Sequence, residues 1–182
     1  MSLEKVKKYL SKFGVENRVL EFEVSSATVE LAAAALGVDS EKIAKSLTFM
    51  VDELPVMIVC AGDVKIDNTK FKKVFNTKAK MLSFDEVENL IGHKVGGVCP
   101  FAINNGVKVY FDESLKRFDK VYPACGSSNS AIGLSLNEFQ NYAENFQGFI
   151  DVCKLFFKSS NFIWFIYIIK EVIYFISFFK SF

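Results

Sequence analysis

Two apolar, β-branched runs at residues 46–51 and 56–61 are separated by only Asp52-Glu53-Leu54-Pro55. So short a polar connection leaves the second run little choice but to fold back on the first, so the pair predicts an antiparallel hairpin. A hairpin alone is marginal in water, so the remaining segments must cover it. Residues 2–13 place Leu3, Val6, Leu10 and Phe13 at helical spacing and stop at Gly14, which predicts an opening helix. A strand is expected over 19–24, an alanine-rich helix over 28–36 closed by Gly37, and a short helical turn over 39–43. Ser83 with Glu86 and Ser135 with Glu138 have capping-box spacing, so helices are expected to begin at Phe84 and Leu136. Further strands are expected near 107–111, 121–122, 131–134 and 149–152. Short strands interleaved with helices around a hairpin predict an α+β domain built on a mixed, barrel-like β-sheet.

With 182 residues the chain suits one domain and can bury most of the apolar surface it exposes unfolded. Lys and Arg total 22 against 21 Asp and Glu, so the overall charge does not announce nucleic acid and any RNA contact must be local. The candidate is residues 65–80, which carry six lysines and one acid, with Asp67 or Asn68 placed to cap a short helix. Its plainer reading is a solvated helix face. Cys60, Cys99, Cys125 and Cys153 are scattered, form no C-x-x-C pair and follow no secretion signal. They are expected as free thiols of a reducing, cytoplasmic compartment. With His93 the single histidine, no metal site and no cofactor are expected. His93 with Cys99 or Cys125 lacks a third orienting residue, so covalent thiol catalysis is not expected.

Two motifs carry the chemistry. Lys45, in Ile43-Ala44-Lys45-Ser46-Leu47, stands at the expected entrance of the hairpin. A lysine there is either solvent-exposed or the cation of a site. Gly92-His93-Lys94-Val95-Gly96-Gly97-Val98-Cys99-Pro100 is either a turn or a loop whose backbone approaches a ligand closely. Gly126-Ser127-Ser128-Asn129-Ser130, taken alone, is an ordinary loop.

Together these segments resemble a known family. Thr28-Val29-Glu30-Leu31-Ala32-Ala33, the Lys45 motif, Ala61-Gly62-Asp63, the Gly92 to Phe101 loop, Asp112-Glu113-Ser114-Leu115, the Gly126 loop and Phe149-Ile150-Asp151-Val152-Cys153 occur in the order seen in YbaK/EbsC-type aminoacyl-tRNA deacylases. Those proteins share their fold with the editing domain of bacterial prolyl-tRNA synthetases. The resemblance covers residues 1–154. It implies an ester hydrolase acting on mischarged aminoacyl-tRNA, with a small amino acid on tRNA for proline, no metal, no DNA, and a prolyl-tRNA synthetase as a possible partner. It also implies site residues: Lys45 anchors the terminal phosphate and substrate, and Gly97 with Gly96 positions the ester through main-chain atoms. Ser46, where many relatives carry threonine, lines the amino-acid pocket, and Ser127, Ser128 and Asn129 complete its wall. The alternative from another class is a binding or regulatory module that recognises aminoacyl-tRNA without turnover.

Residues 155–182 differ in kind, holding 11 of the 27 aromatic residues and no glycine or proline. Residues 161–179 are long enough to span a bilayer, yet Lys170 and Glu171 fall near the middle, each costing roughly 3 kcal/mol there. That argues against a clean transmembrane anchor. A membrane-associated tail, a helix packed on the domain or on a second copy, and an accidental translated extension all fit this composition. A membrane-tethered adaptor would rest on the tail alone.

Overall fold

The computed structural model describes residues 2–156, so the readings of the tail beyond Phe156 lie outside the described residues. The hairpin is its centre. Strands β2 (Ile43–Val51) and β3 (Leu54–Ala61) pair without a break from Ala44 opposite Ala61 to Val51 opposite Leu54. The connection is two residues rather than four. Asp52 and Glu53 both take left-handed backbone angles, with φ of 47° and 62°, the geometry that matches the twist of the flanking strands. Pro55 joins β3 without loss. The amide of its partner Met50 points away from β3, to Lys80 O at 2.9 Å, so Met50 and Pro55 form a pair that needs no ladder bond between them.

Around the hairpin, β5 (Lys108–Asp112), β6 (Lys120–Pro123), β8 (Leu134–Ser135) and β9 (Phe146–Ile150) complete a six-stranded mixed sheet in the order β8-β6-β2-β3-β5-β9, curled into half a barrel. Two short ribbons flank it: β1 (Val19–Glu21) with β7 (Ser130–Ile132), and β4 (Val64–Ile66) with β10 (Cys153–Leu155). β10 runs across the boundary expected at residue 154, and the Phe156 amide donates to Asp63 O at 2.7 Å. The ribbon strands β4 and β10 are too short to show a period of two, and the sequence did not point to them.

The helices follow their end signals. α1 (Ser2–Leu10) buries Val6 and Leu10 and passes through a 3-10 turn, Ser11–Phe13, to Gly14. α2 (Val29–Leu36) is capped by Thr28, whose hydroxyl accepts from the Leu31 amide. α3 (Asn68–Phe75) is capped by Asp67, whose carboxylate accepts from the amides of Thr69 and Lys70. Phe71 of α3 packs on Phe49, ring centroids 5.1 Å apart, which turns the helix's lysines outward. Both expected capping boxes form, at α4 (Phe84–Glu86) and α5 (Leu136–Tyr142). α4 widens at once into a π turn, Val87–Ile91. The core between sheet and helices is dominated by Phe49, Phe71, Phe101, Phe111 and Phe139, all fully buried.

Candidate active site

The outer edge of β2 is covered in two pieces. At its start β6 pairs with Ile43 and Ala44. At its far end the segment 80–82 runs alongside: Met50 donates to Lys80 O, and the Leu82 amide donates to Thr48 O at 3.1 Å. Between these pieces Lys45, Ser46 and Leu47 have neither neighbour. The alternation that sends the Thr48 carbonyl and the Met50 amide outward also directs the Ser46 amide and carbonyl into this gap. A cavity of about 480 Å³ opens there. Tyr122 and Ala124 wall it on the β6 side, Met81 and Leu82 on the other, and Ala27 and Val95 from the loops above.

Lys45 is the third residue of a nine-residue strand, deeper in the sheet than the hairpin entrance where the sequence placed it. Its ammonium donates to Gly62 O at 3.0 Å, in the turn between β3 and β4, and to Val64 O, at the start of β4. An ammonium has three donors, so two carbonyls hold it and one donor remains for a ligand. Among the described residues no carboxylate pairs with it. Ser46 carries the second telling feature: its hydroxyl oxygen is buried and, among the described residues, has no hydrogen-bond partner. Such a group costs free energy until something bonds to it, so it marks a place for a polar ligand atom.

Gly96 reaches the cavity wall and Gly97 does not. Both glycines are dictated by close approach. At Gly96, φ is 94° and a Cβ would stand 3.1 Å from Ala27 Cβ and 3.2 Å from Ser128 Cβ. At Gly97 a Cβ would meet Gly126 C and Ser127 N at 2.6 Å, atoms of a backbone that cannot swing aside. The Gly97 amide donates to Lys94 O and its carbonyl accepts from the Gly126 amide, both at 3.0 Å. Gly97 therefore locks the glycine loop to the Gly126 loop, with one carbonyl lone pair left over.

Ser127, Ser128 and Asn129 sit behind the wall. Ser127 Oγ lies 2.9 Å from Asn129 Oδ1 and 2.7 Å from Ser130 Oγ, and Asn129 Nδ2 donates to Phe22 O at 2.8 Å. Ser128 O accepts from the Ser26 amide at 2.6 Å. These bonds hold Ser130 and Ala131 at the cavity. The fold thus brings Lys45, Ser46 and Gly96 to one cavity and uses the other expected residues as its brace. Sequence reasoning missed Ser26, Met81, Phe84 and Tyr122 as lining residues. The available signal was the exposure of Met81 and Phe84, which a sequence does not display.

His93 and Cys99 meet, but away from the cavity. His93 Nε2 donates to Phe101 O at 2.8 Å, while Nδ1 accepts from Ser2 Oγ. The nitrogen nearest the thiol, 3.7 Å from Cys99 Sγ, therefore already carries a proton and cannot accept another. Burial lowers the His93 pKa and pushes the Cys99 thiol up to about 12, so the thiol stays protonated. Cys60, Cys99, Cys125 and Cys153 are all free and buried. Among the described residues no group of three His, Cys, Asp or Glu side chains is arranged to hold a metal ion, and no helix is long and apolar enough to cross a membrane.

Fold and site together define a class of domain: a curled α+β sheet opening on an apolar cavity whose described lining holds one lysine and no carboxylate or imidazole. Residues 23–142 match the family model of the aminoacyl-tRNA editing domain, and the chain belongs to that family. It is 50% identical over 155 residues to the uncharacterized protein YwhH of Bacillus subtilis (strain 168), covering 85% of this chain and 98% of that one. A proline–tRNA ligase of Bacillus cereus (strain AH820) is 26% identical over 102 residues, covering 56% of this chain and 18% of the ligase. Among solved structures, a protein proposed as a trans-editing enzyme for prolyl tRNA synthetase superposes with a TM-score of 0.76 at 25% identity, covering 84% of this chain and 97% of that one.

Proposed function

We propose that this chain is a freestanding hydrolase of the cytoplasm whose unit of residues 1–154 removes a small amino acid from mischarged tRNA, with tRNA for proline as the acceptor. The observation that carries the reading is an uncompensated Lys45 ammonium and a partnerless Ser46 hydroxyl on two residues that line one cavity. Ester hydrolysis needs an oriented water and a stabiliser for the negative charge that develops on the carbonyl oxygen. Lys45, held by two carbonyls, supplies fixed positive charge for the phosphate or the oxyanion. Ser46 offers its hydroxyl, and its amide at the gap, to the aminoacyl group. Gly96, with Gly97 behind it, closes the wall against the ester. The volume of about 480 Å³, lined by Ala27, Ala124 and Ala131, supports a small side chain beside the terminal adenosine.

The described cavity lining contains no carboxylate or histidine, so as water adds to the carbonyl and the acyl–oxygen bond breaks, its proton is relayed through the substrate's own ribose hydroxyl, which passes its proton to the leaving ribose oxygen, or is exchanged through bulk water. The same observation favours a second reading, in which the cavity binds aminoacyl-tRNA or an aminoacyl-like ligand without turnover. Deacylation of a panel of labelled aminoacyl-tRNAs by the full chain and by Lys45→Ala decides between them. Turnover of one mischarged species that is lost in the variant establishes the hydrolase. Binding without turnover of any species establishes the module. Adding a prolyl-tRNA synthetase to the same assay tests whether that enzyme lends its grip on the tRNA body.

A further inference from the structure

A second concavity, of about 860 Å³, lies along α3 and the chain that follows it, lined by Lys70, Lys72, Lys73, Asn76, Lys78 and Ala79 among others, with no carboxylate in the described lining. Lys70 is already satisfied by Asp151 at 2.7 Å and Cys153 O at 2.9 Å, and the nearby Asp67 is taken by Lys154 at 2.9 Å. Lys72, Lys73 and Lys78 are exposed and, among the described residues, form no ion pair. Their charge is therefore uncompensated along one groove.

This groove lies close to the candidate active-site cavity along the chain. Ala79 lines the groove and Met81 lines the cavity, two residues further along a segment that lies extended beside β2. Two residues of extended chain span only about 7 Å. At the junction the cavity rim is unusually apolar for a water-facing surface: Met81 is 59% exposed, Phe84 76% and Val95 47%. The backbone at Phe84 is fixed, because it is the first residue inside a complete capping box: Glu86 takes the Ser83 amide at 2.7 Å and Ser83 Oγ takes the Glu86 amide. An exposed aromatic ring on a fixed backbone beside an uncompensated basic groove is the combination that suits single-stranded nucleic acid, with bases stacked on the ring and phosphates tracked by lysines.

We propose that the groove and rim form a track for a single-stranded RNA end, with a base stacked on Phe84 and the backbone phosphates following Lys78, Lys73 and Lys72 away from the Lys45 cavity. The assignment rests on the proposed function for its substrate class and adds the face by which the RNA is held. It also divides the four lysines that line the groove: Lys72, Lys73 and Lys78 are left to bind phosphate, whereas Lys70 is paired off internally.

The test is fluorescence anisotropy with a labelled, unacylated single-stranded RNA of about 8 nucleotides, titrated with the full chain at salt concentrations of roughly 50 to 200 mM. Replacing the three lysines together (Lys72→Glu, Lys73→Glu, Lys78→Glu) is expected to flatten the slope of log affinity against log salt by about 2, at about 0.7 for each phosphate contact. Phe84→Ala is expected to weaken binding roughly tenfold at every salt concentration while leaving the slope unchanged. All four side chains are exposed, so thermal melting confirms that the variants fold. An unchanged slope in the lysine variant overturns the track, as does undiminished binding by Phe84→Ala. Loss of prolyl-tRNA synthetase binding with RNA binding intact overturns it in favour of a protein-docking face. Deacylation by the wild-type chain, run in parallel with Lys45→Ala, separates the two ideas: failure of hydrolysis counts against the proposed function, whereas the anisotropy alone decides the track.

Discussion

The ammonium of Lys45 donates to the carbonyl oxygen of Gly62 at 3.0 Å, which ties the candidate catalytic cation to the turn that leads from β3 into β4. Position 62 has room only for glycine, because a Cβ there would lie 1.9 Å from Ser40 O, and its amide donates to Glu41 O at 3.3 Å. The cation is thus positioned by backbone rather than by a carboxylate, which leaves its charge unneutralised for a ligand.

Lys45→Ala should leave the fold intact and remove function. It leaves two carbonyls behind, Gly62 O in the turn and Val64 O at the start of β4, and the melting temperature should fall by about 2–4 °C for each kcal/mol lost. Turnover of the preferred aminoacyl-tRNA should fall by about 10²–10³-fold, the usual cost of deleting a preorganised charge stabiliser. Paired melting and deacylation curves check both halves.

Ser46→Ala should do the opposite to stability. It deletes a buried hydroxyl that has no partner among the described residues, so the ligand-free protein should gain about 1 kcal/mol against urea. The same change should lower kcat/KM by about tenfold, because the ligand loses its bond. A variant that is both more stable and less active identifies Ser46 as a ligand-facing residue rather than a structural one.

Gly97→Ala should lower stability and activity together. The added Cβ would press on the Gly126 and Ser127 backbone at 2.6 Å, and separating those loops should cost about 1–3 kcal/mol. Urea unfolding followed beside deacylation should show both losses, with the midpoint shifting and the slope unchanged.

Cys99→Ala should retain the wild-type rate of deacylation. The thiol is fully buried, held protonated with a pKa pushed up to about 12, and stands off the cavity. Treatment of the folded protein with iodoacetamide should likewise leave turnover intact; inactivation that Cys99→Ala prevents would reinstate a thiol nucleophile.

Glu138 gives a pH signature unconnected with the site. The Arg18 guanidinium, hydrogen-bonded to it at 2.6 Å, and the Ser135 amide hold its carboxyl down at about 2, against an ordinary value of 4.5. The folded carboxyl binds its proton less readily than the unfolded one. Its contribution is therefore complete above pH 4.5 and is lost as pH falls towards about 2. Because the pair is partly exposed, Glu138→Gln should cost only about 1 kcal/mol at neutral pH. Acid unfolding should show the variant and the wild type converging across that window.

Much of the frame was legible because its signals are local. The hairpin, the caps at Thr28, Asp67, Ser83 and Ser135, and the stop at Gly37 each depend on residues within a few positions of one another. Boundaries moved where tertiary pairing decided them. β2 begins at Ile43 because β6 reaches it there, and so Lys45 lies inside the strand. The strand expected over 19–24 stops at Glu21, after which Phe22 bonds to the Asn129 loop.

The order of motifs in the sequence pointed to Lys45, Ser46 and Gly96 as parts of one candidate site, and local propensity determined the elements that carry them. The site itself came from tertiary structure. The gap at Ser46 exists because β6 covers one end of β2 and residues 80–82 cover the other, segments distant in the chain whose pairings halt on either side of it. That a hydroxyl is buried without a partner, or that Phe84 stays exposed beside a basic groove, depends on what every other part of the chain occupies. Such facts are properties of packing, which local sequence does not encode one residue at a time.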